Sequence, residues 1–85
     1  MSEDAIQRLA AALFKLADAN GVVIAPSIPW LCQVAKMSTL DTLAGLCELQ
    51  SRLLIRATDL DGKRVYRLQV ARVKVLIGAD QAESP

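Results

Sequence analysis

The stretch SIPWLCQVAKMSTLDTLAGLCELQSRLL, residues 27–54, decides how the rest of the chain is read. Ser27 is a residue type that caps a helix, because its hydroxyl accepts from an amide that the first turn leaves unbonded. Pro29 falls in that first turn, where a missing N–H costs nothing. A helix over about Ile28 to Ala35 follows, and Lys36 and Met37 leave room only for a tight turn. Ser38 then caps a second helix. Asp41, three residues on, puts a carboxylate beside exposed N–H groups at the positive end of the helix dipole. This helix is expected to run to about Arg52. Two helices joined by so short a turn suggest a helix-turn-helix, whose second helix can enter a nucleic-acid groove.

Toward the N-terminus, Ser2 can cap a first helix over about Glu3 to Ala19, with Glu3 and Asp4 in its first turn. Ile6, Leu9, Leu13 and Leu16 recur at spacings of three and four, and Phe14 and Ala17 widen the stripe to a second side. Asn20 and Gly21 are expected to end the helix, glycine supplying a left-handed cap. Val22, Val23 and Ile24 form a short β-branched run that Pro26 stops, which predicts one brief strand.

Toward the C-terminus the periodicity changes. Residues 54–58 and 64–68 alternate as strands do, and Asp61-Gly62 between them is a strong hairpin signal, because glycine tolerates the positive φ of the turn. Residues 69–80 are open to two readings: Val70, Val73 and Ile77 fit a helix, whereas Val73, Val75 and Ile77 fit a strand. The helix is preferred as a closing lid, and residues 81–85 are expected to form a flexible tail. Residues 1–80 then make a single domain, α+β and mainly helical: a three-helix core, a hairpin and a C-terminal helix.

The chain has 85 residues and 53 % apolar composition, above the usual share of about 45 to 50 %. Either a small core is well filled or an apolar face is covered by a second copy. The two sides of the first helix, with residues 70–77, motivate the expectation of a homodimer. Cys32 and Cys47 are the only cysteines and there is no histidine. That set has neither the number nor the spacing of zinc ligands, so no metal and no cofactor are expected. A Cys or Ser nucleophile would lack its usual base, so no enzyme is expected either. Both cysteines read as free, mostly buried thiols of a cytoplasmic protein. Cys47 in particular falls on the side of Leu40, Leu43 and Ala44, which reads as core. The apolar runs are too short to span a membrane, and the start lacks the basic residues of a signal peptide.

Net charge is +1, but it is unevenly spread. Residues 52–74 carry Arg52, Arg56, Lys63, Arg64, Arg67, Arg72 and Lys74 against Asp59 and Asp61, a net of +5. Such a patch can neutralise phosphates and give sequence-independent, salt-sensitive affinity. It can equally be the solvated face of a hairpin. On the second central helix, 100° per residue places Ser38, Asp41, Thr42, Gly45, Glu48 and Arg52 on one polar side. That side offers hydroxyls and carboxylates rather than the Arg, Lys, Asn or Gln that read base edges.

The order helix, strand, helix, tight turn, helix, hairpin resembles the winged helix-turn-helix domains of small bacterial regulators. SIPWLCQVAKMS, the leucines Leu40, Leu43, Leu46 and Leu49, the pair Leu53-Leu54 and the hairpin DGKRVYRL carry the resemblance, over about residues 6–68. It implies a double-stranded DNA partner, bound as a dimer, with the third helix in the major groove and the wing on the backbone or minor groove. The contacts it suggests are Lys36, Ser38, Thr39, Thr42, Arg56, Lys63, Arg64 and Arg67. Winged helices also serve as protein-interaction modules, so the fold leaves that alternative standing. Many relatives carry glycine where this chain has Leu53, which predicts a different helix end or a small strain there.

Overall fold

The computed structural model describes residues 2–78. Along them run α1 (Glu3–Leu16), β1 (Val22–Ala25), α2 (Ile28–Ala35), α3 (Thr39–Ser51), β2 (Ile55–Leu60), β3 (Lys63–Leu68) and α4 (Val70–Ile77). Three serines start the first three helices as their position requires. The Ser2 hydroxyl accepts from Ala5 N–H at 3.2 Å, Ser27 from Trp30 N–H at 3.2 Å, and Ser38 from Asp41 N–H at 3.1 Å. The helix over residues 70–77 settles the ambiguous C-terminal stretch. The expected end of that stretch at Asp80, and the tail 81–85, lie outside the described residues.

Two helix ends are more unusual. Lys36, after α2, and Leu53, after α3, both hold left-handed backbone, with φ of 57° and 60°. At the second, Leu54 N–H donates to Leu49 C=O at 2.9 Å and Leu53 N–H to Gln50 C=O at 3.0 Å. This crossed pair is the Schellman arrangement, in which the left-handed position usually belongs to glycine. The expected strain is therefore present, on a side chain that is 68 % exposed.

α1 ends at Leu16, earlier than the expected Ala19. The Asp18 carboxylate takes over, accepting from Asn20 N–H at 2.8 Å and Val22 N–H at 3.0 Å. A side chain that satisfies backbone amides outside the helix competes with the next helical turn. Gly21 thus serves the turn into β1 rather than a helix cap. Its φ is +76°, and a Cβ there would lie 2.7 Å from Val70 Cγ2, so α4 packs directly over it.

The three strands form one antiparallel sheet in the order β1-β3-β2. β2 and β3 extend beyond the expected strands and pair up to Leu60 opposite Lys63. Only Asp61 and Gly62 remain for the turn, at φ 53° and 79°, the two positive values that a type I′ hairpin demands. Val23, Ala25, Ile55, Tyr66 and Leu68 point from the sheet into the core, where they join Ile6, Leu9, Leu13, Leu31, Leu46, Leu49 and Val73. Each fully buried Leu or Val of that set stabilises the fold by about 1.5–3 kcal/mol relative to exposure. The second side of α1 is also used here, Ala10 being buried and Phe14 and Ala17 packed against the core. The part of the dimer argument that rested on α1 is thereby weakened, and Val75 of α4, 73 % exposed, is what remains of the apolar surface it named.

Candidate nucleic-acid interface

α3 is apolar on both sides, and its orientation differs from the expected one. The buried stripe is Thr42, Gly45, Leu46 and Leu49. Thr42 and Gly45, expected on the polar side, instead face the core. Thr42 is fully buried, and its Oγ1 lies there without a hydrogen-bond partner among the described residues. It has no access to a base edge and leaves the set of candidate contacts. The outward stripe is Leu40, Leu43, Ala44 and Cys47, with Leu40 76 % exposed. Cys47 is exposed rather than core, whereas Cys32 is buried as expected.

The corner between α2 and α3 presents Lys36, Ser38 and Thr39, all exposed. Lys36 joins Arg8 and Lys15 around a groove floored by Ala11, Ala12, Leu16 and Val34. The Ser38 hydroxyl is engaged as the α3 cap, and Thr39 Oγ1 lies 3.9 Å from Cys32 Sγ. The outward face of α3 carries no Lys or Arg. Arg52, at its end, is taken up by Glu3 and Glu48.

Register sorts the basic residues of the wing onto two faces. Positions directly opposite in a ladder share a face. Arg56 lies opposite Arg67, and Lys63 opposite Leu60 two rungs out along the same face. Arg56, Lys63 and Arg67 are exposed, and among the described residues none is in an ion pair. Arg64 points to the other face, where its Nε lies 3.5 Å from Asp59 Oδ1. The structure thus brings Arg56 and Arg67 together, sets Lys63 nearer the tip, and separates Arg64 from all three. Arg72, in the first turn of α4, joins Arg56 and Arg67 at the base of the wing. Sequence reasoning did not name it as a contact, because nothing local fixes how α4 is set against the hairpin.

Of the two tyrosine and tryptophan side chains, both expected as packing residues, Tyr66 is fully buried and Trp30 packs partly buried against the core. Burial raises the Tyr66 phenol above its ordinary value, an effect that the nearby Arg64 charge opposes. Among the described residues no helix is long and apolar enough to cross a membrane. Nor does any group of three or more His, Cys, Asp or Glu stand ready for a metal ion.

A helix-turn-helix followed by a β-hairpin that pairs back onto β1 is the winged helix-turn-helix fold. The structure is similar to that of a MarR family transcriptional regulator from Silicibacter pomeroyi, with a TM-score of 0.61 and 18 % sequence identity. The match covers 92 % of this chain and 54 % of the other, so the chain spans about half the length of that regulator. At this identity the likeness is one of fold. No family model and no curated protein matches the sequence.

Proposed function

We propose that the chain binds duplex DNA with low sequence specificity, gripping phosphates with the outer face of its wing. The observation that carries this reading is the trio Arg56, Lys63 and Arg67, exposed on one face of the hairpin and, among the described residues, in no ion pair. The structural relative, a transcriptional regulator by its description, supports a duplex as the partner. Lys36, Ser38 and Thr39 at the α2–α3 corner add a cation and two hydroxyls at the end of α3 that such folds turn toward bases. Hydroxyls discriminate weakly between base edges, and Asp41 beside them repels phosphates. Regulation by such a protein leans on DNA shape and on a second copy bound at a matching half-site.

Fluorescence anisotropy with a random duplex at two salt concentrations tests this. Affinity should fall with salt, and Lys63→Ala with Arg67→Ala should flatten the logarithmic slope by about 0.9 per lost phosphate contact. Arg64→Ala should flatten it less, because that side chain faces away and is held by Asp59. Equal effects from Arg64 and Lys63, or an unchanged slope in the double variant, would overturn the assignment of the outer face. Sedimentation equilibrium reports whether a second copy is bound.

A second reading is favoured by the outward stripe Leu40, Leu43, Ala44 and Cys47. Spacings of three and four on an exposed helix face suit docking into the groove of a protein. A wild-type chain that fails to bind duplex at low salt moves the function to that stripe.

A further inference from the structure

At the base of the wing lies a concavity of about 530 Å³ lined by Leu53, Ile55, Arg56, Arg67, Gln69 and Arg72. Three of those six residues are arginines, and among the described residues no carboxylate lines the space. Among the described residues none of the three is in an ion pair. Arg56 and Arg67 stand directly opposite on neighbouring strands, an arrangement of like charges that weakens a sheet unless an anion lies between them. The start of α4 opens onto the same space. Its first turn holds no acidic residue, and Gln69 supplies no side-chain hydrogen bond to cap it, which leaves the positive end of the helix dipole uncompensated. Local stability argues against each of these choices, and a single bound anion answers all of them. Guanidinium groups are planar forks that engage two oxygens at once, and three of them around one concavity match the oxygens of a phosphate group.

We propose that this concavity is a phosphate-binding site whose donors are Arg56, Arg67 and Arg72. The phosphate can belong to a duplex backbone or to a free oligophosphate, since the recognition chemistry is the same. The site is distinct from the wing tip, where Lys63 lies on the far side of the intervening rungs, and it does not rest on the duplex reading.

Titration of the full chain with inorganic pyrophosphate tests it, with sodium chloride adjusted to hold ionic strength constant, followed by calorimetry and by the amide NMR shifts of residues 53–72. Saturable binding of one pyrophosphate per chain is expected, with shifts concentrated at residues 56, 67 and 69–72. Arg72→Ala should weaken it about tenfold or more, the scale of one lost charge-assisted hydrogen-bond pair. Arg72→Lys should fall between the two, and Lys15→Ala, on α1, should bind as the wild type does. Circular dichroism verifies that each variant is folded. A response that does not saturate and is matched by chloride would overturn the proposal, as would an Arg72→Ala variant that binds normally. Competition by duplex DNA assigns the source. If duplex displaces pyrophosphate and Arg72→Ala weakens both, the phosphate is a backbone phosphate. If duplex binds without competing, or does not bind at all while pyrophosphate saturates, the site takes a free oligophosphate.

Discussion

Arg52, at the end of α3, clasps Glu3, at the start of α1, with both arms of its guanidinium: Nη1 lies 2.8 Å from Oε2 and Nη2 2.9 Å from Oε1. Its Nε reaches Glu48 Oε1 at 3.3 Å in the same helix. The hydrogen bonds from Arg52 hold the Glu3 carboxyl below its ordinary value, with the charge of the same group adding to them. A depressed folded-state value means that the pair stabilises the fold above the unfolded-state titration and stops doing so as pH falls through the folded one. In an NMR titration, Glu3 should therefore ionise below the ordinary range of a glutamate. Arg52→Ala should return it toward that range, and added salt should narrow the difference, because the pair is exposed. A Glu3 that titrates identically with and without Arg52 would remove the clasp.

Leu53 holds a backbone conformation that costs an L-residue about 1–2 kcal/mol, whereas glycine adopts it freely. Leu53→Gly relieves that strain and gives back part of it as flexibility of the unfolded chain. A net stabilisation of about 0.5–1 kcal/mol is expected, read as a higher urea midpoint at unchanged slope. Leu53→Ala should gain none of it, since alanine is strained in the same way.

Among the described residues the buried Thr42 hydroxyl has no partner. Thr42→Val keeps the shape and removes the unsatisfied group, so stability should rise by about 1 kcal/mol in chemical denaturation. The same variant should leave duplex affinity unchanged. A loss of affinity in a folded Thr42→Val protein would mean that α3 turns to expose this residue.

The two thiols should differ sharply in reactivity. Cys47 is exposed on the outward stripe of α3, and Cys32 is buried in α2. A thiol reagent added to the native chain should modify one equivalent rapidly, and peptide mapping should place it at Cys47. The second equivalent should appear only on denaturation. Two fast thiols would contradict the packing of α2 against α3.

What could be read in advance is local. Ser2, Ser27 and Ser38 cap helices because the first turn of any helix leaves amides that a nearby hydroxyl can satisfy, and Asp61-Gly62 makes a hairpin because the turn requires two positive φ values. Both demands are met within four residues of chain. The orientation of α3 is set elsewhere. Leucines occur on both of its sides, at 40 and 43 and at 46 and 49, so periodicity could not choose between them. The choice is made by how α3 sits against α1 and α2, which its own periodicity does not encode. The same limit hid Arg72, whose meeting with Arg56 and Arg67 depends on α4 crossing the base of the sheet. The early end of α1 was legible in principle: Asp18 before Asn20 is a side chain that can capture amides, and it outcompeted the apolar stripe that suggested a longer helix.

β1 runs beside β3 from Val22 opposite Arg67 to Ala25 opposite Arg64. The wing is therefore braced on one side along almost its whole height, and only the Leu60–Lys63 rung and the turn stand clear of the brace. It works as a stiff bracket and not as a hinged flap. A force applied at Lys63 has no soft joint to absorb it and passes down β3 to Tyr66 in the core, and across β1 to the turn that Asp18 closes. On the duplex reading proposed above, the partner has to fit the wing's shape as it stands, and any yielding comes from the partner.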